Sequence, residues 1–385
     1  MRIMLIAEDF RAIGGIQETV DRVSQELISL GHQVAIVSTP YVRPGAERTP
    51  STSAECALVE IPGHKAVTLR HLERLWRQPI ATDLIAEIHR FRPEVINSHV
   101  WTWDKFMSVA IACRRTHVPL VQSLYDTWGQ GKLGRSALRS LKYAVAVTTI
   151  SAATKAQFVA LSRLARRAQV VLGGVDLAAA SAAVPWQRER GYIFCAARQD
   201  LRHRAIDVLI AAFAIIAPDY PNVDLLIAGD GPDREQIAAV AADAGIAARV
   251  ETLGTRPRAE LWSLFKGALF FAMPSRLPEG LGLVFLESMA CERPVIATRS
   301  GGTPEIVIDG DNGLLVDHNS AEAFAAALRT MLADERQRLA MGRRGNAMVR
   351  ERFSWRAVAL RHLDSYAAAL GPGRHDVHPP HSNGM

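Results

Sequence analysis

The sequence predicts an α/β protein built from two doubly wound parallel-sheet domains in series. Three observations predict it. Short apolar runs alternate with longer helix-period segments along the chain. The alternation breaks once, over residues 177–190, and then restarts. The length of 385 residues, 49% of them hydrophobic, suits two domains that each bury a core.

In the first half the predicted strands are 2–8, 33–39, 94–99, 120–125, 144–151 and 169–173. They are rich in Val, Ile and Leu on both faces, the pattern of strands covered by helices on both sides. Amphipathic stretches such as 18–30 and 82–91 separate them. The break over 177–190 is Ala-rich, holds Pro185 and ends in Arg188, Glu189 and Arg190, so it reads as a linker. The second set of strands is 192–197, 223–228, 250–254, 269–274, 295–298 and 313–316, with helical segments such as 206–217, 234–244 and 321–332. A Glu- and Arg-rich helix follows, then a last helix over 353–370. The expected domains are 1–176 and 177–354, with the helix at about 355–370 packing back on the first domain. The Pro-, His- and Gly-rich tail 371–385 is expected to be disordered. Ligands of open α/β sheets bind outside the carboxyl ends of the strands, so functional residues should follow strands and face a cleft between the domains.

The net charge of +6 suits a phosphate-bearing ligand or an anionic membrane surface, and equally a mildly basic soluble enzyme. The four cysteines, Cys56, Cys113, Cys195 and Cys291, are widely spaced and form no CxxC pair. That spacing argues against a zinc site or a disulfide framework and for reduced thiols in a cytoplasmic protein. The first apolar run, residues 3–7, meets Glu8 and Asp9 too soon for a signal peptide, and no apolar run reaches the ~20 residues that span a bilayer. Lys132, Arg135, Arg139 and Lys142 recur along one predicted helix with Leu133, Leu138 and Leu141 among them. That helix reads either as a peripheral contact with the anionic inner face of the membrane or as a solvated face. A nucleic-acid partner is not expected, because no stacking-aromatic groove or DNA-binding motif is present.

Gly14, Gly15, Ile16 and Gln17 open the first long helix. Glycines there allow close backbone approach, and a helix N-terminus suits a phosphate, although a bare turn explains the pair equally well. The chain has neither GxGxxG after a strand nor GxxxxGK[ST], which argues against a dinucleotide dehydrogenase and a P-loop NTPase. Arg198 and Arg204 flank the loop after strand 192–197, and two guanidinium groups there suit a diphosphate clamp or a solvated basic turn. The strongest constellation follows strand 269–274. Glu279 lies in a glycine-containing turn, Gly282, Leu283 and Val284 open an apolar helix, and Glu287 sits about two turns along it. A carboxylate for ribose hydroxyls beside free N–H groups for phosphate would make one nucleotide pocket. His99 ends its strand and is followed by Trp101 and Trp103; it reads as a polar contact, a proton carrier or a structural residue. Tyr125 and Asp126 end the next strand in the same way. Asp309-Gly310-Asp311 has the DxD form of a metal site but reads as a tight turn before Asn312 and Gly313. No essential metal or other cofactor is expected.

The run from Pro278 to Ala290 resembles the EX7E motif of family 4 glycosyltransferases, with Glu279 and Glu287 as its carboxylates. The agreement continues through 293–297, 301–305 and 312–316, and earlier through 228–232 and 31–34. Gly14 to Gln17 looks like the nucleotide-facing loop of the mannosyltransferases acting on phosphatidylinositol. The likeness reaches to about Leu370 and is tighter in the second domain. It implies a GT-B fold and transfer of a hexose from a UDP- or GDP-sugar to a sugar, lipid-linked or small-molecule acceptor, with retention at the anomeric carbon. It implies that Glu287 holds the donor's ribose, that Glu279 lies near the transferring sugar, and that Gly282, Leu283 and Val284 meet its sugar or phosphates. Arg198 matches the family arginine on the diphosphate, and Arg204 stands where lysine is usual. Gly15 would approach the β-phosphate, and His99 matches a histidine near the reacting centre. Tyr125 departs from the histidine that many members carry. The loop 255–257, with Arg256, would border the base. Two other readings share this fold: a nucleotide-sugar epimerase, and a catalytically inactive partner that binds a nucleotide or another transferase.

Overall fold

Two separate parallel sheets organise the chain, whose computed structural model describes residues 1–8, 15–39, 57–60, 78–100, 103–125, 138–317 and 320–371. Internal contacts divide the chain into two units. One holds Met1–Ile150, Lys155–Val171 and the stretch from Val358 onward; the other holds Ser151–Thr154 and Leu172–Ala357.

The first unit's strands are β1 (Arg2–Glu8), β2 (Gln33–Thr39), β3 (Ala57–Glu60), β4 (Val95–Ser98), β5 (Leu120–Leu124), β6 (Ala146–Thr149) and β7 (Gln169–Val170). They pair in the order β3-β2-β1-β4-β5-β6-β7. Central β1 explains the two-faced apolar pattern, since Ile3, Leu5 and Ile6 are all fully buried. Its register sets Ile3 opposite both Val34 and Val95. Chain order reverses across β1, so the ends of β1 and β4 flank a topological switch point. The helices Gly15–Ser29, Gln78–Phe91 and Trp103–Thr116 connect these strands, and Met4, Ile96, Val109 and Phe158 are in the core. From Val358 on, the helix Trp355–Leu370 belongs to this unit. Tyr366 on it is fully buried and donates to Asn97 Oδ1 at 2.8 Å.

The second unit's strands are β8 (Gly191–Ala196), β9 (Val223–Ala228), β10 (Val250–Gly254), β11 (Phe270–Met273), β12 (Val295–Thr298) and β13 (Gly313–Val316). Their order is β10-β9-β8-β11-β12-β13, which puts the switch point between β8 and β11. Phe194, Phe265, Phe271 and Phe285 fill its core, with ring centroids 5.0–5.8 Å apart along the chain of contacts.

Three expectations change. Residues 177–190 are not a free linker. Leu177–Ala182 is a helix capped by Asp176, whose carboxylate accepts from Ala179 N at 2.9 Å. Lys266 Nζ donates to the Ala180 and Ser181 carbonyls, and Trp186 N–H to Ser263 O, so the segment is tied into the second unit. The alanines were a helix signal, not a linker signal. The edge strand β3 was not foreseen. Only the end of the expected basic helix is described: Leu138 is helical, and Arg139–Tyr143 is a 3-10 helix, whose tighter turn departs from the 3.6-residue spacing. Leu138 and Leu141 are buried there, while Lys132, Leu133 and Arg135 lie outside the described residues. Gly14, Trp101, residues 126–128 and the tail from 372 lie outside them too. Among the described residues no helix is long and apolar enough to cross a membrane.

Candidate active site

In the second unit the functional side chains gather where β8 and β11 end. Ser275 follows β11, and its N–H donates to Thr298 Oγ1 at 3.0 Å. Its hydroxyl donates to Glu279 Oε1 at 2.6 Å. Arg204 reaches the same place through an antiparallel bridge with Ser275. Its Nη1 donates to Ser275 Oγ at 3.0 Å and forms a close ion pair with Glu279 Oε1. Glu279 is buried, so its charge needs this cation. Burial pulls the Arg204 pKa down from its ordinary value, but the guanidinium keeps its charge.

The loop after β12 presses on the same turn. Gly302 N–H donates to Glu279 O at 2.9 Å, and a side chain at Gly301 would strike that carbonyl. Gly301 has a φ of 55°, so two constraints require glycine there.

Gly282, in the left-handed region at φ 88°, caps the helix Leu283–Ala290 without any side-chain cap bond. The first N–H groups of that helix therefore stay available to an anion. Four residues past Leu283, Glu287 is buried and accepts from Arg258 Nη1 at 2.7 Å. Arg258 opens the helix Arg258–Gly267 after β10 and lies over the Trp262 ring at 5.2 Å. Arg256, two residues earlier, is the residue the sequence places at the border of the base. Arg256 forms only a half-exposed pair with Glu260, at 3.6 Å. The missed signal was the i, i+4 spacing of Arg258 and Trp262 at a helix start.

Arg198 follows β8 and is exposed, and its guanidinium has no hydrogen bond or ion pair among the described residues. The structure thus brings Arg204 to Glu279 but leaves Arg198 unengaged.

In the first unit His99 follows β4, and its N–H donates to Ile6 O at 2.8 Å. The ring is fully buried, with Nδ1 2.5 Å from Tyr125 Oη. Burial, reinforced by the nearby His362, drives its pKa well below the ordinary value, so the ring is neutral near pH 7. Gly15 begins the helix Gly15–Ser29, and its carbonyl accepts from Thr19 Oγ1 at 2.7 Å.

The DxD triplet is a turn. Gly310 has a φ of 76°, Asp309 accepts from Leu315 N and Arg299 Nη2, and Asp311 pairs with Arg344 at 2.7 Å. Among the described residues no three His, Cys, Asp or Glu side chains converge to hold a metal ion. Cys113, Cys195 and Cys291 are free, and burial pushes each thiol up to about 12.

Two family models match. One, described as Glycosyltransferase Family 4, covers residues 13–179; the other, described as Glycosyl transferases group 1, covers 182–348. The chain belongs to glycosyltransferase family 4. Relatives of this family 4 chain include the GDP-mannose-dependent alpha-(1-6)-phosphatidylinositol monomannoside mannosyltransferase of Mycolicibacterium smegmatis. It is 34% identical over 250 residues, 61% of this chain and 65% of the relative. The D-inositol 3-phosphate glycosyltransferase of Segniliparus rotundus is 39% identical over 171 residues, 43% of this chain and 38% of the relative. The chain thus matches less than two thirds of the length of either. Among solved structures, Anabaena HepE in complex with UDP and glucose has a TM-score of 0.76 at 19% identity, covering 94% of this chain and 98% of that one. The sucrose-phosphate synthase of Thermosynechococcus elongatus has a TM-score of 0.78 at 21% identity, covering 95% and 98%. The likeness runs through both sheets, and the fold is GT-B.

Proposed function

We propose that this family 4 chain is a retaining hexosyltransferase that moves a hexose from a UDP- or GDP-sugar to a hydroxyl-bearing acceptor. The observation that carries the reading is the pair of buried carboxylates, Glu279 and Glu287, each held by an arginine and flanking the open N-terminus of the helix Leu283–Ala290. Glu287 accepts from the ribose hydroxyls. The N–H groups of Leu283 and Val284, with Gly282 leaving the backbone bare, meet the phosphates or the sugar. Arg198 and Arg204 stabilise charge growing on the leaving diphosphate, and Glu279 lies by the transferring sugar. Arg256 borders the base. In the first unit Gly14 and Gly15 serve the β-phosphate, and His99 serves the reacting sugar.

The acceptor hydroxyl adds to the anomeric carbon on the face from which the diphosphate leaves. Its proton passes to the leaving diphosphate, so no enzyme carboxylate need form a covalent bond. The chemistry needs no resident metal in this reading, because fixed cations and helix N–H groups take the developing charge. A cytoplasmic location fits three buried free thiols. Relatives named as GDP-mannose-dependent, 34% and 32% identical, favour guanosine as the base.

Calorimetric titration of UDP, GDP and ADP into the wild type and Glu287→Ala tests the reading. One diphosphate should bind the wild type and fail to bind the variant. Folded wild type that binds none of the three would overturn the transferase reading and favour the inactive partner.

A further inference from the structure

In the second unit, the residue after Ser275 makes contacts that the proposed chemistry does not explain. Arg276 Nη1 and Nη2 meet the two carboxylate oxygens of Asp207, at 2.8 and 2.6 Å. Nη1 also donates to Leu201 O at 2.7 Å. Asp207 lies in the first turn of the helix Ile206–Ile216, and Leu201 lies in the loop between β8 and that helix. One guanidinium thus ties together two points of the chain that bracket Arg204.

The backbone runs the same way. Arg276 N–H donates to His203 O at 2.9 Å and Ala205 N–H to Pro274 O at 3.3 Å, on either side of the bridge between Arg204 and Ser275. Asp233 pins the loop from its other side. It stands at the N-cap of the helix Arg234–Asp243 but makes no cap bond there. Its carboxylate accepts from Leu201 N–H at 2.7 Å instead. Leu201 is therefore held at its N–H by Asp233 and at its carbonyl by Arg276.

We propose that Arg276 is a positioning residue, which fixes the loop after β8 so that Arg198 and Arg204 meet the donor's diphosphate. An ion pair as exposed as Arg276–Asp207 adds little stability, because solvent screens it. Its geometry matters more. Two bonds to one carboxylate and a third to a carbonyl leave the planar guanidinium a single orientation. The loop it holds carries Arg198 at its start and Arg204 at its end. Among the described residues Arg204 engages only Nη1, with Ser275 and Glu279, so Nε and Nη2 can donate to a phosphate. Donors fixed in advance need no reorganisation as charge grows on a leaving group, and a loose loop would forfeit that. The identity of the ligand rests on the transferase reading; the hold on the loop does not.

Calorimetry on Arg276→Ala tests the proposal, using the nucleoside diphosphate that binds the wild type and the matching monophosphate. The diphosphate affinity should fall about tenfold, and the monophosphate affinity by no more than about twofold. The His203 and Arg204 amides, which donate to Asp200 O, should exchange faster with solvent in the variant, while those of β8 keep their protection. Asp207→Asn, which keeps the bond to Leu201 and weakens the fork, should shift both measurements the same way by less. Equal losses for the two nucleotides would mean a general structural role and overturn the proposal. Unchanged diphosphate affinity in folded Arg276→Ala would overturn it too. If Arg276→Ala does not fold, Asp207→Asn decides by the same comparison. Wild type that binds no diphosphate would refute the transferase reading itself, whereas wild-type binding that the variant retains in full refutes only the role of Arg276.

Discussion

Arg198 and Arg258 differ in what the fold already asks of them. Arg198 is exposed and unengaged among the described residues, so its removal should leave the fold intact, within about 0.5 kcal/mol. If it clamps the diphosphate, Arg198→Ala should lower turnover about a hundredfold, the scale of losing one transition-state donor. A melting temperature that falls by many degrees would mean that the residue is structural instead. Arg258 already holds Glu287 at 2.7 Å, but nearly half of its side chain is exposed, which weakens the pair by solvent screening. Arg258→Ala should therefore loosen Glu287 without unfolding the unit. The affinity for the bound diphosphate should drop about five- to tenfold by calorimetry. Unchanged affinity would separate Glu287 from the ribose. Glu287 was legible in the sequence because apolar residues crowd it, which marks a carboxylate that is not a surface group. Arg258 was not legible as its partner, because 29 residues and the strand β11 separate them along the chain and only the folded structure brings them together.

At the scale of one element, the helix Leu283–Ala290 depends on how it begins. Gly282 sits at φ 88°, and a Cβ there would lie 2.5 Å from the Phe285 ring. Gly282→Ala should cost about 2 kcal/mol from backbone strain and the displaced ring. It should also weaken diphosphate binding by twisting the Leu283 and Val284 N–H groups away. Urea unfolding and calorimetry on the same sample would check both, and a variant as stable as the wild type would show that the turn relaxes freely. The strands were the most legible elements, because buried parallel strands need apolar residues on both faces, and β1, β8 and β9 have them. β3 escaped because a four-residue edge strand has little pattern to display. The segment 177–190 misled because alanine is both a spacer and a strong helix former. Its cap, Asp176, lay just before the stretch that was read as a linker.

For the whole molecule, the C-terminal helix makes the first unit depend on its last residues and on pH. Val358, His362 and Tyr366 are buried in that unit, and His362 is held neutral. Burial lowers its pKa from 6.5 to about 4. A histidine depressed in the folded state contributes no penalty above pH 6.5, where both states are neutral. Below 6.5 the unfolded chain takes up a proton that the folded chain refuses, so stability falls until about pH 4. The loss is about 1.4 kcal/mol per pH unit, roughly 3 kcal/mol at the end of that window. His99 acts in the same direction. The first unit should therefore open before the second as pH falls from 6.5 to 4.5, with amides of β4 and β5 exchanging early. His362→Leu removes one of these groups and should flatten the pH dependence over that window. Hydrogen exchange at pH 6.5 and 4.5 on both proteins would measure it. An equal acid loss in the variant would mean that His362 is already charged, and that this face of the helix is wetter than its burial indicates.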